Sequence, residues 1–140
     1  MYVDANNGLK SWGKNLKQSI EEKNLDNVLC FLETIRFYYG KVSECLAKYP
    51  KETKAIELKD KFLALFKETQ IESEKISEDQ IKEYLKGKQY DRAKGIIDLL
   101  IKIAPKSDKC KDLMAHITQT QEKQEGEYKA WLAEINLRKN

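Results

Sequence analysis

Apolar positions along the chain recur at helical spacing almost from end to end. The cleanest run is Leu25, Val28, Leu32, Ile35, Tyr39, Val42, Leu46 and Tyr49, spaced 3-4-3-4-3-4-3. That spacing predicts one continuous helix over 25–48, about 35 Å long at 1.5 Å per residue. Leu29, Phe31 and Tyr38 widen the stripe, so this helix should be buried on more than a narrow seam. Pro50 ends it, because the residue before proline avoids the α region.

The flanking segments read the same way. Residues 1–8 form a polar, loose start containing Asn6, Asn7 and Gly8. A first helix over 9–22 carries Leu9, Trp12, Leu16 and Ile20 on one face. Asn24 is placed to cap the helix after it, with Asp26 in its first turn. A third helix over 51–75 presents Ala55, Leu58, Phe62, Leu65 and Phe66, and its face thins to Ile71 and Ile76. Ser77 with Gln80 reads as a capping box that opens a short fourth helix to Lys86, ended by Gly87. Residues 89–104 form a fifth helix with a wide apolar face (Ala93, Ile96, Ile97, Leu100, Ile101), which should make it central. Pro105 closes it, and Ser107 or Asp108 caps a sixth helix running to Arg138. That last helix is apolar at Cys110, Leu113, Met114 and Ile117, polar from Thr118 to Glu127, and apolar again at Tyr128, Trp131, Leu132 and Ile135.

Composition supports an all-helical reading. The 140 residues include only two prolines and six glycines, too few for the frequent turns of a sandwich or barrel. Charged residues make up 35%, with 26 Lys and Arg against 23 Asp and Glu, interspersed rather than blocked. Such mixing describes solvated helix faces and argues against a nucleic-acid surface, which shows a denser basic stripe. The basic residues are nearly all lysine, with arginine only at 36, 92 and 138, and lysine reads bases poorly. Cys30 and Cys45 would lie about 22 Å apart along one helix, beyond disulfide reach. This points to a reducing, intracellular setting, cytoplasmic or nuclear. Residues 1–20 lack the apolar core of a signal peptide, and no run has the roughly 20 apolar residues of a membrane span.

Two stretches share a layout. Lys23-Asn24-Leu25-Asp26 parallels Lys88-Gln89-Tyr90-Asp91, and Tyr49-Pro50-Lys51 parallels Ala104-Pro105-Lys106. Repeated helix pairs stack to share a core. In residues 77–107, Tyr84 stands on a short helix. Gly87 follows in the turn, one residue early, then the Y-x-x-A of Tyr90-Asp91-Arg92-Ala93, Ile97, Leu100 and a closing Pro105. This stretch resembles a tetratricopeptide repeat, which implies helix pairs that hold partner proteins. A rival pattern covers residues 9–68: Lys23-Asn24-Leu25-Asp26, then Gly40-Lys41-Val42 with Leu46 and Lys48, and a last helix ending in Phe66-Lys67. It resembles the N-terminal helical domain of transcript-cleavage elongation factors and integrase-binding chromatin adaptors, which implies a transcription-linked adaptor.

Catalytic chemistry is hard to find. His116 is the single histidine and sits beside an apolar face, where a partly buried helix histidine is the simplest reading. The cysteines and histidine lack the close pairs of a structural zinc site. No phosphate-cradling glycine motif and no nucleophile elbow occur. The cysteines fall on or near apolar stripes and read as small core hydrophobes. No catalytic, cofactor-binding or metal-binding residue is therefore assigned.

The sequence thus predicts an all-α fold of about six helices in one domain spanning 1–140. These form stacked antiparallel pairs, as a tetratricopeptide-like repeat or a plain bundle, with a first unit at 9–75 and a second at 77–138. The expected function is a non-enzymatic adaptor or scaffold that binds another protein. The alternatives are the transcription-linked adaptor and a self-associating protein that uses the 25–49 stripe as a coiled-coil seam. Two candidate partner surfaces follow. One is the cluster Tyr128, Trp131, Leu132 and Ile135, which either folds back to cover Trp12 and Leu16 or stays exposed for a partner. The other is the pair Lys82 and Lys86, one turn apart; the repeat resemblance implies that such lysines can hold a peptide carboxylate.

Overall fold

Five helices, not six, make up the computed structural model, which describes the backbone of residues 2–139 and the side chains of 5–138. They are α1 (Tyr2–Glu21), α2 (Leu25–Lys48), α3 (Thr53–Lys86), α4 (Tyr90–Ile103) and α5 (Lys109–Lys139). No strand occurs among the described residues. Each helix packs on the next, and α3 runs through both halves of the molecule. α1 and α2 pack on it and on each other, α4 and α5 do likewise, and α2 touches α4. One continuous apolar core results.

The four turns come in two matched pairs. Lys23 and Lys88 both adopt the left-handed conformation, at φ 56° and 59°. In the first turn, the Lys23 N–H donates to Ile20 O at 3.0 Å and the Asn24 N–H to Ser19 O at 2.9 Å. In the second, the Lys88 N–H donates to Leu85 O at 3.1 Å and the Gln89 N–H to Tyr84 O at 2.9 Å. Both are Schellman endings, which normally favour glycine at the left-handed position. Gly87 is one residue too early to take that role, and its φ is −88°. The two proline turns also match. The Tyr49 N–H donates to Cys45 O and the Glu52 N–H to Tyr49 O; the Ala104 N–H donates to Leu100 O and the Ser107 N–H to Ala104 O. Asn24 caps α2 as its position predicts, its side chain accepting from the Asn27 N–H at 3.1 Å.

The helix boundary expected near Ser77 does not exist. α3 continues through it, and Thr69, Ser73 and Ser77 are 0–1% exposed on its interior side. Their small volume suits an interior stripe, but their hydroxyls mimic a polar gap in the sequence. Thr69 satisfies itself by donating to Leu65 O at 2.8 Å. Gln80, read as the partner in a capping box, instead donates to Lys23 O at 2.9 Å and ties α3 to the first turn. Phe66-Lys67 likewise falls inside α3 and not at a helix end.

The first helix also starts earlier than expected, at Tyr2 instead of residue 9. Ala5 extends the Leu9–Trp12–Leu16 face and is buried. Gly8 lies inside the helix, and the Trp12 ring lies across it, where a Cβ would overlap the ring. Trp12 in turn packs against Tyr38 of α2, the ring centroids 4.5 Å apart and the planes tilted by 32°.

Most of the α2 stripe is spent inside the chain, although Tyr49 at its end is exposed. Leu25, Val28, Leu32, Ile35 and Val42 are buried, so they are not available as an intermolecular seam. Ile97 and Leu100 are buried in α4, the short helix that contacts α2, α3 and α5. Arg36 joins the halves: its guanidinium donates to Lys102 O at 2.9 Å and to Ile103 O at 2.6 Å, closing the C-terminus of α4.

Candidate protein-binding site

α5 begins as a core helix and ends as a projecting one. Cys110, Leu113 and Ile117 are buried against α3 and α4. The helix is 31 residues long against 14 for α4, so it outruns that neighbour by about 25 Å. Among the described residues α5 makes no packing contact with α1 or α2, which does not fit the reading in which its end covers Trp12 and Leu16.

The projecting part keeps an apolar face. Tyr128 is 59% exposed, Trp131 55% and Leu132 37%, while Ile135 is half-buried. The Tyr128 and Trp131 rings stack with centroids 6.0 Å apart. At 100° per residue these four side chains span an arc of about 100°. Cys110, Leu113, Met114 and Ile117 project within the same arc. The exposed cluster is therefore the core stripe of α5 carried past the end of the body, with Gln121 and Gln124 between the two parts.

Lys82 and Lys86 lie elsewhere, at the end of α3. Lys82 pairs with Glu78 at 3.5 Å and Lys86 with Glu83 at 3.1 Å. They line an open groove between α3 and α5 together with Lys23, His116 and Gln124, but Asp79 and Glu83 share its walls. Their charge is thus locally matched. Glu78 also meets Lys109 at 3.4 Å, and Lys109 first, then Lys82, holds its carboxyl below the usual range. That contact contributes stability above the ordinary carboxylate pKa and loses it as pH falls through the lowered value. Gln124 lies one helical turn before Tyr128, so the groove runs along α5 towards the aromatic cluster.

Three further placements depart from the sequence reading. His116 is exposed on the groove wall and not partly buried. Cys30 is exposed, whereas Cys45 is half-buried and Cys110 buried. Ser107 is buried, and its hydroxyl donates to Glu74 of α3 at 3.1 Å. Among the described residues, no group of three His, Cys, Asp or Glu side chains is placed to hold a metal ion. Among the described residues no helix is long and apolar enough to cross a membrane. Sequence reasoning missed Arg36 as a link between helices, and it missed a lysine row on α1 whose only signal is its i, i+4, i+7 spacing.

The chain has no significant match to a protein-family model, a curated protein or a solved structure.

Proposed function

We propose that the protein is an intracellular, non-enzymatic adaptor whose helical body holds another protein through the α5 face Tyr128, Trp131, Leu132 and Ile135. The observation that carries this reading is the continuity of the α5 stripe. The same side of one helix is buried as far as Ile117 and then solvent-exposed with two stacked aromatics. Trp and Tyr supply large apolar area at little rotamer cost and are the commonest interface anchors. A partner that presents a helix pair or a hydrophobic groove would continue the bundle across this face.

The test is a capture experiment with the full chain and with a Trp131→Ala, Leu132→Ala variant, with bound proteins identified by mass spectrometry. A specific partner should bind the parent chain and lose at least about 30-fold in affinity to the variant, as for an anchor worth about 2 kcal/mol. Retention of the same partners by the variant would sink the reading. A dimer in solution that the variant dissolves would assign the face to a second copy instead.

A further inference from the structure

Lys10, Lys14 and Lys17 stand at i, i+4 and i+7 on α1, so three ammonium groups share one side of that helix. Across a groove between α1 and α3 they meet Lys61, whose Nζ is 3.4 Å from Asn6 Oδ1. Among the described residues that line the groove, Glu68 is the one carboxylate against four lysines, a local excess of three positive charges. The floor is apolar. Leu9 and Leu65 are half-buried in it, and Gly13 and Ala64 keep it shallow in side-chain bulk.

Gly13 is telling. It sits in the middle of a helix, where glycine costs about 1 kcal/mol relative to alanine. A Cβ built there would meet nothing within 4 Å, so packing inside the chain does not demand it. Its effect is to leave room in the groove.

We infer that this groove docks an acidic amphipathic helix of a partner protein. Carboxylates spaced by one helical turn on the partner would face Lys10, Lys14 and Lys17 along one wall and Lys61 along the other. An aliphatic side chain between them would lie over Gly13 and against Leu9 and Leu65. The apolar floor distinguishes this from a general polyanion site, which needs cations but no greasy base. No packing contact joins α1 to α5, so the groove is separate from the α5 face. Two such sites would let one chain bridge two proteins.

The probe is a fluorescein-labelled helical peptide with leucine on one face and glutamate on both flanks, titrated with the full chain by fluorescence anisotropy. Control probes carry serine for leucine or lysine for glutamate, and a single-stranded DNA oligonucleotide serves as a plain polyanion. Saturable binding of the Leu/Glu peptide is expected, with the controls much weaker. Lys14→Glu combined with Lys17→Glu should weaken it by about tenfold or more. Gly13→Leu, a better helix former that fills the groove, should weaken it without reducing helicity. Trp131→Ala should leave it unchanged. The inference is overturned by an absence of saturable binding, by equal binding of the DNA or serine probe, or by undiminished affinity in both groove variants.

Discussion

Replacing Arg36 with alanine removes a polar link between α2 and α4. Its guanidinium makes two hydrogen bonds to the last carbonyls of α4, at 2.9 Å to Lys102 O and 2.6 Å to Ile103 O. A hydrogen bond from a charged donor contributes about 1.5–3 kcal/mol when shielded. The Ile103 bond is partly buried and belongs in that range; the Lys102 bond is exposed, where water replaces much of its value. The favourable placement of a cation at a helix C-terminus adds about 0.3–1 kcal/mol. The expected loss is therefore about 2–3 kcal/mol. Lysine keeps the charge but cannot span two carbonyls with a planar fork, so Arg36→Lys should recover about half. Urea unfolding followed by far-UV circular dichroism measures both variants, with amide exchange at Ile103 and Ala104 as a local readout. A loss below about 0.5 kcal/mol for alanine, the range of an ordinary surface change, or full recovery by lysine would refute the reasoning.

Three further outcomes follow. Lys23→Gly and Lys88→Gly should each stabilise the chain by about 0.5–1 kcal/mol, because both lysines occupy a left-handed position that costs any residue with a Cβ; denaturant midpoints that fall would contradict the turn assignment. Leu100→Ala should cost about 2–5 kcal/mol, since its side chain is 0% exposed in the central helix; a midpoint that barely moves would contradict its burial. In thiol alkylation at pH 8, Cys30 should react first and Cys110 last. Cys110 is buried, and burial pushes its thiol pKa upward, so its thiolate forms only at higher pH. Equal rates, followed by peptide mass spectrometry, would contradict the placement of α5.

What could be read from the sequence was whatever produced an unambiguous periodic or punctuating signal. Pro50 and Pro105 marked real helix ends, and the α2 stripe predicted the burial of Leu32 and Ile35. The matching K-x-[LY]-D turns are matching in structure as well, down to the left-handed lysines. The errors have physical causes. Ser73 and Ser77 are small enough to lie in the interior of α3, yet a buried hydroxyl reads as polar, so one 34-residue helix looked like two. Residues 1–8 looked like a loose start partly because the fit of Gly8 under the Trp12 ring, four residues away, is invisible in sequence. For the candidate site, the spacing of Tyr128, Trp131, Leu132 and Ile135 was evident, but their exposure was not. It depends on α4 being only 14 residues long and on the absence of packing between α5 and α1 among the described residues, facts of tertiary arrangement. The lysine row of α1 was equally visible, but nothing in the sequence brings Lys61 across from it.

The central claim is that the end of α5 serves a partner and not the core. Deleting residues 127–140 from the chain tests it most directly, with unfolding free energy and partner capture measured on the same preparation. The truncated protein should keep its stability to within about 1 kcal/mol, because the side chains of 127–138 are exposed except for the half-buried Ile135, and it should lose the partner held by the intact chain. A loss of several kcal/mol with Trp12 becoming exposed to quencher would show that the cluster belongs to the core, and the account would be contradicted.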